Sequence, residues 1–302
     1  MKRKVTLHGP STLTISLPSV WVNKYKIEKG DELDVLDKGR SLIVAANKGL
    51  VTPKVSINVG DLIRFGKRVI TALYRDGVSE IELKYTNPGY TKVIEEVISK
   101  QIVGFEILKQ DSSSCILKDL SGIDEEEFDV ALRRSWLITL SMAQDCIEGI
   151  TKLDKSTLES IVFRDRGVNK FTNYCARILV KKGHKDYRKI PLYYHLIREL
   201  ERIADNYKDI AGYSRAGEIV LKGSILKNFE KANFYLHELY SIFYKFDKEK
   251  LENFLVETKK NHNELYKYLE SNTGGNVVIA YFLLTIFNNM RGLASSIIQV
   301  YV

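Results

Sequence analysis

The sequence predicts a multidomain protein in three parts: a small β unit that pairs as a dimer, a small α/β domain, and an all-helical bundle. Three observations predict this order. Residues 1–47 alternate apolar and polar side chains at period two, residues 53–120 mix strand-like and helix-like patterns, and residues 124–302 read as long amphipathic helices joined by short turns. The boundaries are placed at 1–50, 51–122 and 123–302. A chain of 302 residues is too long for one small domain.

In the first zone, Val5 and Leu7, then Leu13, Ile15 and Leu17, recur at period two, with the turn His8-Gly9-Pro10-Ser11 between them. That is a hairpin pattern. Pro18 opens a short helix through Tyr25, since proline suits a first helical turn. Lys29-Gly30-Asp31 stops it. Leu33 and Val35, then Leu42 and Val44, form a second alternating pair around Lys38-Gly39-Arg40. A unit of about 45 residues buries too little apolar surface to hold itself together. Its four short strands also leave open edges. Pairing two copies removes both defects, so a homodimer is expected here.

Charge points to the partner. The chain carries 46 Lys+Arg against 38 Asp+Glu, a net charge of +8. Residues 1–50 hold nine basic and five acidic residues, so half of the excess sits in a sixth of the chain. That favours an anionic partner such as nucleic acid. Lys2, Arg3 and Lys4 open the first strand, Lys24, Lys26 and Lys29 cluster around the end of the short helix, and Arg40 tops the second hairpin. Basic residues so placed either bracket phosphates or form a solvated polar face.

The run Gly9-Pro-Ser-Thr-Leu-Thr-Ile-Ser-Leu-Pro18, with Trp21-Val-Asn-Lys-Tyr-Lys-Ile27 and Lys29-Gly-Asp-Glu-Leu-Asp-Val35, resembles the SpoVT/AbrB family of DNA-binding domains. The resemblance implies a swapped-hairpin, dimeric β-barrel that grips DNA through basic residues on one face. The matching positions are Lys2, Arg3, Lys4, Lys24 and Arg40.

The second zone reads as a small α/β sandwich. Strands are expected at 55–59, 81–85, 104–110 and 114–118, and helices at 61–76 and 90–101. Asp76-Gly77 and Asn87-Pro88-Gly89 punctuate it.

The third zone predicts helices near 125–152, 156–182, 189–214, 218–246, 248–271 and 276–300, which split into two groups of three. On the third, Leu196, Leu200, Ile203, Tyr207 and Ile210 form an apolar stripe, flanked by Glu201, Asp205 and Asp209 at intervals of four. Like charges so spaced repel. Either a cation such as a metal offsets them, or Arg198, Arg202 and Lys208 neutralise them locally. Asp165 falls on the apolar stripe of the second helix, one turn before Asn169. A carboxylate there must pair, hydrogen-bond or bind a cation.

Glu199-Leu-Glu-Arg-Ile-Ala-Asp-Asn206 resembles the signature of the PhoU family. The resemblance implies two three-helix bundles related by an internal repeat, a role in regulating phosphate uptake, and a divalent or ferric metal ion held by an ExxxD motif. Its implied ligands are Glu201 and Asp205, with Asp165 and Asn169 as counterparts on the neighbouring helix and Asp209 extending the row. In the final helix Arg291 and Ser295 replace the corresponding acids, which leaves one metal site at most. The implied partners are DNA, a second copy, and a phosphate-transporter ATPase or signalling kinase. The order of the domains resembles the PhoU-like regulators of archaea.

Other classes fit poorly. Cys115, Cys146 and Cys175 are widely spaced and lack a CxxC pattern, which argues for a reducing compartment and against a disulfide framework or thiolate zinc site. The start lacks a secretory apolar segment. The longest apolar run, Val277 to Phe287, is shorter than the roughly 20 residues a membrane span needs. A cytoplasmic protein is therefore expected. Ser11, Ser19 and Ser41 have no base at a useful spacing, and no glycine-rich phosphate loop is present. The expectation is a regulator and not an enzyme.

Overall fold

The computed structural model describes residues 1–37, 42–46, 54–122, 127–217 and 219–302. The chain divides into two compact units, Met1–Pro53 and Lys54–Val302. The expected boundary after residue 50 lies outside the described residues. The one after 122 borders residues 123–126, which also lie outside them.

In the first unit, β1 (Val5–His8) and β2 (Thr12–Ile15) pair antiparallel, with Val5 opposite Ile15 and Leu7 opposite Leu13. Gly9 turns the chain at φ +69°, where a side chain would be strained. Thr6 and Thr14 share a hydroxyl hydrogen bond of 3.0 Å on the other face. Helix α1 (Ser19–Tyr25) follows Pro18 and ends where Lys26 turns left-handed. Asp31 then accepts the Glu28 backbone N–H at 2.7 Å. The strands β3 (Leu33–Asp37) and β4 (Leu42–Ala46) form a second antiparallel pair.

The order of hairpin, helix and hairpin is as expected, and no closed barrel is seen among the described residues of this single copy. The two hairpins are separate two-stranded sheets among the described residues. The physical reason is size. Strands of four or five residues enclose no core, and none of the described side chains of residues 1–46 is buried. Val5, Leu7, Leu13 and Ile15 share one hairpin face and are 59–69% exposed.

The second unit begins with a four-stranded sheet in the order β5 (Lys54–Gly60), β6 (Glu80–Tyr85), β8 (Ser114–Asp119), β7 (Phe105–Gln110). The β5–β6 pair is parallel, and β8 runs antiparallel to both of its neighbours. Helix α2 (Ile63–Arg75) makes the parallel crossover, and α3 (Tyr90–Lys100) leads to β7. Burial alternates along β6 and β8, so one face carries Ile81, Leu83, Tyr85, Cys115 and Leu117 into the core. Against it lie Ile70 and Tyr74 of α2 and Tyr90, Ile94 and Val97 of α3. Gly66 permits the close approach of these helices, because a Cβ there would meet the Tyr90 ring at 2.3 Å.

Six helices follow: α4 (Glu127–Lys152), α5 (Lys155–Lys181), α6 (Ile190–Gly217), α7 (Gly223–Tyr244), α8 (Lys248–Ser271) and α9 (Gly275–Tyr301). Helices α4, α5 and α6 pack on one another, as do α7, α8 and α9, and α6 against α9 joins the two groups. Side-chain caps start two of them: Asp154 accepts from Ser156 and Thr157, and Asp247 from Glu249 and Lys250. The fourth helix of the bundle starts at Gly223 and not near 218; it follows Lys222, whose backbone is extended. Residue 218 itself lies outside the described residues.

Helix α9 is long and apolar enough to cross a membrane by length and composition. The shorter apolar run lies within this helix, which Asn, Ser and Gly lengthen without adding charge. Its Ile279, Leu283, Ile286, Met290 and Ile297 are buried within the bundle, as in a core helix.

The α/β layer and the bundle form one compact unit because α5 packs on α2 and α3. The seam is pinned by a buried ion pair. Arg177 of α5 donates to Asp119 Oδ2 at 2.7 Å and to the Tyr74 carbonyl at 2.6 Å. Its guanidinium also lies 4.7 Å from the Tyr74 ring centre and 5.0 Å from that of Phe105. Lys181 adds a contact to Asp119 at 3.1 Å.

Candidate functional site

The expected DNA-contacting residues lie in the first unit. Lys2, Arg3 and Lys4 run directly into β1, which begins at Val5, and Lys24 sits in the last turn of α1. All four are exposed. The Lys24 ammonium lies 5.4 Å from the Tyr25 ring centre. Arg40 lies outside the described residues.

The expected metal ligands meet where α5 faces α6. Asp165 is buried, and its Oδ2 accepts from the Asn169 amide at 2.9 Å and from Lys208 at 3.4 Å. Lys208 also pairs with Asp205. The structure thus brings Asp165, Asn169 and Asp205 together, but around an ammonium group. Glu201 turns to Arg198, and the neighbouring Glu199 pairs with Arg202 at 2.6 Å. Asp209 is exposed, one turn beyond Asp205.

Burial pushes the Asp165 carboxyl up to about 6, and the nearby Asp205 and Glu201 charges add to that while Lys208 opposes it. Burial likewise raises Glu201 against the pull of Arg198. Asp209 is raised by burial and by Asp205, with Lys208 opposing. Burial would lower Lys208, but its bonds to Asp205 and Asp165 outweigh this and hold it above its ordinary value. Asp165 Oδ1 is buried without a hydrogen-bond partner.

Among the described residues, no three His, Cys, Asp or Glu side chains gather as a metal site. Local ion pairs already offset the carboxylate row, with Lys208 bound to both Asp165 and Asp205. The physical reason is helical spacing. Arg198 and Lys208 each stand three residues from an acid on the same face, within reach of a salt bridge.

Beside this network lies a cleft of 420 Å3 between α2, α5 and α6. Its α2 wall carries Arg64, Lys67, Arg68, Thr71 and Arg75. Asn169 and Asn173 of α5 and Glu201 of α6 face that wall. Gln101, just past α3, closes one end, and its carbonyl accepts from Asn173 at 2.9 Å. The basic wall was missed from the sequence. The available signal was the run of Arg64, Arg68 and Arg75 at i, i+4 and i+11 on one face of the expected helix 61–76.

The family model of the PhoU domain matches residues 132–213. A PhoU domain spans this stretch. The match runs from within α4 through α5 and most of α6, and it includes the Glu199–Asn206 signature and Asp165. It stops short of α7, so the second three-helix group lies beyond it. No curated protein and no solved structure matches the chain.

Proposed function

We propose that this chain is a homodimeric, DNA-binding regulator of phosphate homeostasis, in which a PhoU domain governs a β unit completed only by a second copy. One observation carries the reading. The first unit has an apolar hairpin face, Val5, Leu7, Leu13 and Ile15, exposed on a unit with no buried side chain among its described residues, and Lys2, Arg3 and Lys4 adjoin it. Apolar faces of this kind need a partner, and a twofold pair would present two basic clusters to duplex DNA.

Contacts to phosphate release counterions, so affinity falls with salt in proportion to the phosphates neutralised. The test is a gel-shift salt series with the full chain and duplex DNA. Binding with a steep negative slope of log affinity against log salt is expected. Lys2→Ala/Arg3→Ala/Lys4→Ala should flatten that slope by roughly 3 per protomer. No binding to duplex at low salt would leave a second reading, favoured by the PhoU match itself. In that reading the chain is an adaptor on a phosphate-transporter ATPase or signalling kinase.

A further inference from the structure

The second unit holds a charged cleft whose basic wall neither DNA contact nor the carboxylate network uses. Four cations line it, Arg64, Lys67, Arg68 and Arg75, against the single carboxylate of Glu201, a net excess of +3. Placing Arg64, Arg68 and Arg75 on one helix face costs repulsion among like charges. Local pairing does not relieve it. Among the described residues, Arg64 and Arg68 have no carboxylate within ion-pair distance, and Lys67 turns to Glu96 at 3.3 Å. Glu201, which feels the charge of Arg75, is already engaged by Arg198.

Opposite the basic wall stand groups that can donate hydrogen bonds without charge. Asn173 is buried, and its amide is held in place by the Gln101 carbonyl. Asn169 is held by Asp165. The volume of 420 Å3 falls in the range of small-molecule sites, which run from about 300 to 1,000 Å3.

We infer that this cleft binds a small polyphosphate compound, with Arg64, Arg68 and Arg75 gripping the phosphate chain and the α5 amides facing it. Guanidinium forks suit phosphate oxygens in bidentate pairs. A lone phosphate carries at most about two charges, which neither matches the excess of +3 nor fills the space, so at least two linked phosphates are required. Inorganic oligophosphate and nucleoside triphosphate share this chemistry.

Calorimetric titration of the full-length protein at low salt tests the assignment, using tripolyphosphate, ATP and inorganic phosphate as probes. Saturable binding of tripolyphosphate or ATP is expected, with inorganic phosphate at least about tenfold weaker, since each lost charged hydrogen bond is worth about that factor. Equal affinity for ATP and tripolyphosphate marks the phosphate chain alone as the ligand, whereas tighter ATP binding adds contacts to the nucleoside. Arg64→Gln/Arg68→Gln changes two exposed side chains, so its circular dichroism and Tm without ligand should match the parent. Its tripolyphosphate affinity should fall at least about tenfold. Lys2→Ala/Arg3→Ala/Lys4→Ala should bind the probe as the parent does, which separates this site from the first unit. The inference is overturned if neither polyphosphate binds, or if the Arg64/Arg68 variant binds as well as the parent.

Discussion

Asp165 shows at a single residue how burial and charge compete. Its carboxyl sits at about 6, above an ordinary value of 3.8, because burial outweighs the Lys208 ion pair. The groups around it are Lys208, Asp205, Glu201 and Asn169. A raised folded-state value means that the folded chain holds its proton more tightly than the unfolded chain. Stability therefore falls as pH rises through the window from about 4 to 6, by 2–3 kcal/mol at most. Asp165→Asn removes the charge and keeps the shape. Urea unfolding at pH 4 and pH 7.5 should show the variant gaining on the parent by about 2 kcal/mol between the two. An unchanged difference across that range would contradict this account. The position of Asp165 on an apolar stripe was legible in the sequence. The choice of Lys208 as its partner was not, since those residues lie 43 apart and meet only when α5 docks on α6.

At the scale of elements, α5 serves two neighbours at once. One side packs into the three-helix group with α4 and α6, and the other lies on α2 and α3. Its buried Arg177 reaches Asp119 at the end of β8, which joins helix to sheet. Burial alone would raise the Asp119 carboxyl, but Arg177 and Lys181 outweigh it and hold the group below its ordinary value. Asp119→Ala leaves a buried guanidinium unpaired and should destabilise the second unit by about 3–5 kcal/mol. Arg177→Met/Asp119→Leu removes both charges and should recover much of that loss in thermal or denaturant unfolding. If the double variant is as unstable as the single, the cost comes from packing and not from the orphaned charge. Element type and order were readable from periodicity: every expected strand and helix with described residues is present, mostly within a few residues of its expected ends. The pinning pair was not, because a single Arg on a helix and a single Asp at the end of a strand carry no local sign of each other.

At the scale of the whole molecule, the two units differ in how they reach stability. Residues 54–302 bury a continuous apolar core, whereas residues 1–46 bury none among their described side chains. A twofold pair of the first unit would supply what one copy lacks. Light scattering of the full chain should give twice the mass of 34.6 kDa. Leu7→Glu/Leu13→Glu, which places opposed charges on the hairpin face, should give the single mass while the helical signal in circular dichroism persists. A dimer unaffected by these changes would place its interface elsewhere.

The sequence by itself determined the period of each segment, hence the strands and helices, their order and their apolar faces, because those depend on neighbours within a few residues. It also marked the coreless first unit and the carboxylate row. Only the tertiary structure decided which faces meet. It showed that Lys208 balances Asp165 and Asp205, that Arg177 locks bundle to sheet, and that the arginines of α2 look across at α5 and α6. Periodicity tells a helix which side to bury, but the identity of the opposing side is a long-range choice set by packing and charge together.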